Sequence, residues 1–95
     1  MKGYVVCVYK SIGSEEKLKE YGIKARTAVE NYKGKFLIRG GWSRTNEGDK
    51  FPRTVVIEFS TYNEANLFYN SKEYQEAHDV LKGHAARHHQ TIEGS

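Results

Sequence analysis

The chain has 95 residues, of which 38% are apolar and 13% aromatic, a size and composition that suit one domain with a small core. Its formal net charge is +3, but basic residues are interleaved with acids rather than clustered, which argues against nucleic acid binding. Cys7 is the single cysteine, so no intramolecular disulfide can form, and no apolar stretch approaches the ~18 residues of a membrane helix. We therefore expect a cytoplasmic protein with no membrane partner.

The first predicted strand and helix follow directly from the apolar pattern. Residues 3–10 are apolar on both alternating faces, as expected of a central strand in a sheet that is covered on both sides. Residues 14–32 repeat apolar side chains at helical spacing, with Ser14 as a candidate N-cap and two glutamates in the first turn.

A hairpin is predicted next. Strand two is expected from residue 35 to about residue 45, and strand three over residues 53–60, joined by a polar turn. Gly40 and Gly41 interrupt strand two, which indicates a bulge or a place where another group approaches the backbone.

The last third of the chain predicts two short helices and a strand. Thr61 and Glu64 have the spacing of a capping box before a helix over residues 62–69. Ser71 then caps a second helix over residues 72–81. Residues 87–93 are expected to form strand four, mainly from Thr91, Ile92 and position in the chain.

The order β-α-β-β-α-β predicts a single ferredoxin-like α+β domain over residues 1–95, with an antiparallel sheet and its helices on one face. Strands one and three are nevertheless apolar on both faces. Since no chain is left to cover the second face, a second copy is its simplest cover. We therefore expect a homodimer in which two sheets pack face to face, a dimeric α+β barrel.

Arg39 and Glu58 are charged residues within the apolar runs of the hairpin. Counting back from a turn near Gly48 and Asp49 places them roughly opposite each other. A charged residue in such a run needs a partner. Two interpretations stay open: a structural ion pair across the strands, or an arginine that binds an anion while Glu58 orients it or acts as a base.

Other side chains could line a ligand pocket. Tyr69 and Tyr74 flank the predicted helix break, where a cavity over the sheet is expected, and Trp42 could wall the same cavity. His78 falls on the apolar face of the last helix, where it is either a core residue or a proton-transfer group. The candidate ligand pocket therefore comprises Arg39, Trp42, Glu58, Tyr69, Tyr74 and His78.

The histidines of the C-terminal segment are candidate metal ligands. His84 and His88 are four residues apart, a spacing that suits two ligands on a helix, but no third ligand of the usual kind follows. The sequence therefore predicts neither a metal nor a cofactor.

With these residues in place, the chain resembles the domain of unknown function 1330 family along nearly its whole length. The segments that carry the resemblance are residues 2–4, 32–41, 47–49, 52–59 and 65–75. The resemblance implies a small bacterial-type protein with the dimeric α+β barrel fold. His84, His88 and His89 are not part of the family's pattern.

The resemblance leaves function open, because fold relatives include cofactor-free monooxygenases, haem-degrading enzymes and cyclases. One hypothesis is a small-molecule site that binds an aromatic or anionic compound between sheet and helices, with or without cofactor-independent oxygenation or isomerisation. The other is a non-catalytic dimer module whose polar residues are structural. A cavity of roughly 300 Å³ or more with convergent polar groups would favour the first.

Overall fold

The computed structural model describes all residues, 1–95. Four strands form one antiparallel sheet in the order β2-β3-β1-β4, and three helices accompany it. This is the predicted ferredoxin-like α+β fold. The elements are β1 (Gly3–Ile12), α1 (Glu15–Asn31), β2 (Lys35–Arg39), β3 (Arg53–Phe59), α2 (Tyr62–Asn70), α3 (Lys72–Leu81) and β4 (Ala85–Glu93).

Side-chain caps fix where the helices begin. Ser14 Oγ accepts a hydrogen bond from the N–H of Lys17 at 3.1 Å, and Thr61 Oγ1 accepts one from Glu64 at 3.0 Å. Ser71 Oγ accepts from the N–H of Tyr74 at 3.1 Å and donates to the carbonyl of Phe68 at 2.7 Å. Ser71 is therefore both the C-cap of α2 and the N-cap of α3. Each N-terminal cap contributes on the order of 1 kcal/mol to stability.

The expected length of strand two is wrong. β2 ends at Arg39, not near residue 45, and the next strand begins only at Arg53. Gly40 and Gly41 have φ of +75° and +93°, a left-handed conformation that a strand does not adopt. The group that approaches the backbone here is the Arg53 guanidinium, because a Cβ on Gly40 would collide with its Nη1, whereas a Cβ on Gly41 would meet nothing.

The core lies between the sheet and the helices. Alternate residues of β1 and β3 point to this side, and the rings of Phe59 and Phe68 meet at a centroid distance of 5.0 Å. The sheet contributes the buried residues Val5, Cys7, Tyr9, Ile57 and Phe59 to this core. The helices contribute Tyr21, Ala25, Ala28, Val29, Ala65, Phe68, Tyr74, Ala77 and Leu81.

The opposite face of the sheet is also apolar, and nothing within the chain packs over it. Ile38, Val56 and Val6 lie side by side across three strands on this face. Ile38 and Ile92 are each 46% exposed, while Val6 and Val56 are half-buried. The fold thus places its ligand-sized space under the helices and leaves an apolar surface on the other side.

Candidate functional site

A cavity of about 500 Å³ lies between the helix-facing side of the sheet and α1. The strand registers place its polar residues in two rows. Tyr9 of β1 pairs with Arg53 of β3 on one side and with Arg87 of β4 on the other. Cys7 pairs with His89 of β4 in the neighbouring row. Two arginines therefore flank one tyrosine on the helix-facing side of the sheet.

Arg87 is the centre of the cavity's polar contacts. Its Nη1 donates to Tyr21 Oη at 3.1 Å and, at longer range, to Tyr9 Oη at 3.5 Å and Cys7 Sγ at 3.6 Å. Its Nη2 donates to Tyr74 Oη at 3.3 Å. The guanidinium carbon also lies 5.3 Å and 5.0 Å from the ring centroids of Tyr9 and Tyr21, within cation–π range.

No carboxylate neutralises this cation. Arg87 forms no ion pair, and its Nε makes no hydrogen bond to the protein. Burial disfavours the charged form of Arg87, but electrostatic interaction with Tyr21, Tyr74 and Cys7 outweighs it and raises the pKa. The cavity therefore holds a permanent positive charge whose only partners are neutral oxygen and sulfur atoms.

The groups around Arg87 stay protonated. Burial, followed by repulsion from Tyr74, raises the pKa of Tyr21 well above its ordinary value. Burial also raises the pKa of Tyr74 and of the Cys7 thiol, although Arg87 opposes the shift in both cases. At neutral pH Arg87 is thus a cation surrounded by neutral hydroxyl and thiol groups, a set suited to holding an oxyanion.

A hydrogen-bonded chain leads away from Arg87. The hydroxyls of Tyr21 and Tyr74 are 3.0 Å apart, and Tyr74 Oη lies 3.3 Å from His89 Nε2. Burial lowers the pKa of His89 to about 4, and repulsion from Arg87, His78 and His88 adds to the shift. His89 is therefore neutral at neutral pH, and its Nε2 is either the donor or the acceptor of the hydrogen bond with Tyr74 Oη, according to the tautomer.

The rest of the lining adds to the positive charge. Arg53 Nε is buried and has no hydrogen-bond partner. Only one residue that lines the cavity is an acid, Glu15, against the cations Lys19, Arg26, Arg39, Arg53 and Arg87. Clefts lined by one sign of charge concentrate ligands of the other sign.

The expected Arg39–Glu58 pair is wrong. Arg39 pairs in register with Val55, and Glu58 pairs with Lys35, because the bulge at Leu37 and the unpaired loop shift the hairpin. Glu58 instead accepts a hydrogen bond from Tyr4 Oη at 3.2 Å and lies 4.0 Å from Lys2 Nζ.

The other candidate residues fall into two cavities and the surface. Arg39 stacks 4.4 Å from the Phe36 ring centroid and lines the first cavity together with Tyr74. Tyr69 and His78 line a second cavity of about 320 Å³. Trp42 is fully exposed and, like Glu58, lines neither. The six candidates therefore do not form one pocket.

The metal hypothesis has no geometric support, since no group of three or more potential ligands comes together. His84 lies in the turn before β4, and His88 faces the uncovered side of the sheet beside Gln90. No helix is both long and apolar enough to cross a membrane.

Sequence reasoning missed the central residues Arg87 and His89. The available signal was strand alternation: Ala85, Arg87, His89 and Thr91 face the same side of β4. Alternation shows which residues share a face, whereas the register of β4 on β1 is what places Arg87 opposite Tyr9 on the covered face.

Comparison with known proteins places the chain in a family. The family described as domain of unknown function (DUF1330) matches residues 2–95. No protein among the curated sequences matches this chain.

Solved structures share the fold at low sequence identity. A protein of unknown function from Rhodopseudomonas palustris superposes with a TM-score of 0.77 at 11% identity, covering 99% of this chain and 82% of that one. A dimeric ferredoxin-like protein of unknown function from Jannaschia sp. CCS1 gives 0.70 at 10% identity, covering 99% and 100%. A Caulobacter crescentus CB15 protein, provisionally named an antibiotic biosynthesis monooxygenase, gives 0.64 at 8%, covering 99% and 89%.

The low pKa of His89 predicts a pH dependence of folding. Its folded pKa of about 4 lies below the ordinary histidine pKa of 6.5, so the unfolded chain binds the proton more tightly. The contribution of neutral His89 to the free energy of unfolding should be fully present above pH 6.5 and should fall as the pH drops towards 4. At about 1.4 kcal/mol per pKa unit, the loss is roughly 2–3 kcal/mol.

Urea unfolding at several pH values measures this loss. In His89→Gln the fall in unfolding free energy over that interval should be smaller by roughly the same 2–3 kcal/mol. The exposed His84, in the turn before β4, provides the matched control, His84→Gln, which should behave as the unmodified protein does. Identical pH profiles for both variants would contradict the assigned environment of His89.

Proposed function

Because this chain belongs to the domain of unknown function 1330 family, whose description assigns no activity, we propose its function from its own site. The protein binds a small organic anion with an apolar, preferably aromatic, body in the first cavity. The observation that carries the proposal is Arg87, a cation enclosed by tyrosine hydroxyls and a thiol with no carboxylate partner. A ligand carboxylate supplies the missing charge.

Energetics favour this assignment over a purely structural role. Desolvating a cation without a counterion costs free energy, and proteins normally pair such groups. A structural Arg87 would be expected to contact one of the chain's own acids, yet its contacts are all neutral. Its unbonded Nε and the adjacent Nη2 form the edge of the guanidinium that binds a carboxylate through two parallel hydrogen bonds.

The shape of the cavity supports an apolar body on the ligand. Its volume of about 500 Å³ lies within the range of small-molecule sites. Away from the arginines its walls are aliphatic and aromatic, including Val5, Leu18, Ile57 and Phe68. A small inorganic anion would leave this apolar surface in contact with water, whereas an aromatic carboxylate would cover it.

The partner in this proposal is a second copy of the chain. The uncovered face of the sheet carries Tyr4, Val6, Val8, Ile38, Val56 and Ile92. The similar structures from Jannaschia and from Thermobifida fusca are described as dimeric. Joining two such faces buries an apolar surface that would otherwise be exposed, and a stable interface needs about 800 Å² from each partner.

The ligand proposal is tested with two compounds of equal shape. 2-Naphthoate should bind at least about tenfold more tightly than uncharged 2-naphthamide, because only the carboxylate neutralises Arg87. Isothermal titration calorimetry measures both. Arg87→Gln should remove this preference, while Arg44→Gln in the exposed loop should retain it. Equal affinity for the two compounds in the unmodified protein would refute the proposal.

The dimer is tested by placing a charge in the middle of the sheet face. Sedimentation at micromolar concentration should find the unmodified protein as a dimer and Val56→Glu as a folded monomer, with circular dichroism as the check on folding. Leu67→Glu is the matched control, since Leu67 is 47% exposed on α2 and distant from that face in the sheet–helix arrangement. A monomeric unmodified protein would exclude the face-to-face dimer.

A further inference from the structure

The second cavity, of about 320 Å³, differs in chemistry from the first. It lies where α2, the end of α3 and the start of β4 meet, and it shares only Arg87 and His89 with the first cavity. Gly83, with φ of +84°, reverses the chain between α3 and β4. The turn is closed by the N–H of His84 donating to the carbonyl of Leu81 at 2.8 Å.

Hydrogen-bond donors reach this cavity from three elements. Tyr69 comes from α2, His78 and Lys82 from α3 and its cap, and Arg87 and His89 from β4. Two of these five side chains carry a permanent positive charge. No aspartate or glutamate lines the cavity, and Lys82 forms no ion pair.

The positions of the aromatic groups are set by packing. The His89 ring packs against two tyrosine rings, with centroid distances of 5.0 Å to Tyr69 and 5.8 Å to Tyr74. Tyr74 also packs at 6.4 Å from the ring of His78. The imidazoles are therefore held in place before any ligand arrives, which reduces the entropy lost on binding.

We propose that this second cavity binds a small tetrahedral oxyanion, phosphate or sulfate, between Lys82 and Arg87. Its donors converge from several directions, which suits an anion with four oxygens better than a planar carboxylate that one guanidinium can satisfy. The neutral imidazoles and the Tyr69 hydroxyl supply further hydrogen bonds. This site shares Arg87 and His89 with the aromatic carboxylate site proposed above, and it differs from that site by Lys82, which does not line the first cavity.

Histidine side-chain spectra test the proposal directly. Potassium phosphate is titrated at constant ionic strength and neutral pH while long-range ¹H–¹⁵N spectra follow the imidazoles. The signals of His78 and His89 should shift and saturate with a Kd of about 1 mM. His88, on the opposite face of the same strand, should not move. Shifts that do not saturate by about 50 mM, or equal shifts at His88, would overturn the site.

Substitutions identify the cavity that is responsible. Lys82→Gln should weaken phosphate binding by about tenfold and leave 2-naphthoate affinity unchanged. Lys72→Gln, at the far end of the same helix, is the matched control and should bind phosphate normally. If the unmodified protein does not bind 2-naphthoate but still shows the phosphate-induced histidine shifts, only the function proposed for the first cavity is contradicted.

Comparing the affinities of different anions tests whether the cavity prefers a tetrahedral oxyanion to a planar carboxylate. Saturable binding of sulfate as well as phosphate supports a tetrahedral oxyanion site. Acetate binding as tightly as either would overturn the tetrahedral assignment. Unchanged phosphate affinity in Lys82→Gln would overturn the placement of the anion.

Discussion

The enclosed guanidinium of Arg87 is the constraint on which the site depends. Tyr9, Tyr21 and Tyr74 all direct their hydroxyls to it, and Tyr74 passes the contact on to His89. These aromatic groups could pack as an ordinary core if Arg87 were apolar. The cation instead keeps their hydroxyl oxygens as hydrogen-bond acceptors around a charge that lacks a counterion, and this uncompensated charge is the basis of the proposed anion binding.

The order of the strands brings Arg87 and its tyrosine partners together. In the order β2-β3-β1-β4, the first strand lies at the centre and its neighbours are the third and fourth strands. Tyr9 therefore lies between two arginines, Arg53 and Arg87, that are far apart in sequence. The helices close the same face, with α1 supplying Tyr21 and α3 supplying Tyr74. One strand, β4, thereby contributes to both cavities.

Local features of the sequence predicted the fold well, because they act over a few residues. Ser14, Thr61 and Ser71 each cap the predicted helix through a neighbour three residues away. The Arg39–Glu58 prediction failed because register depends on a bulge and on a loop whose glycines leave the strand conformation. Arg87 was missed because its contacts lie 66 and 80 residues away along the chain, at Tyr21 and Cys7. Only the completed sheet brings them together.

The most direct test of the account is a crystal structure of the protein soaked with 2-naphthoate. The account predicts the carboxylate within about 3 Å of the Arg87 guanidinium, the distance of a charge-assisted hydrogen bond, with the naphthyl rings against α1 and the sheet. A naphthoate bound elsewhere while this cavity is filled by rearranged side chains, or with its carboxylate turned away from Arg87, would contradict it.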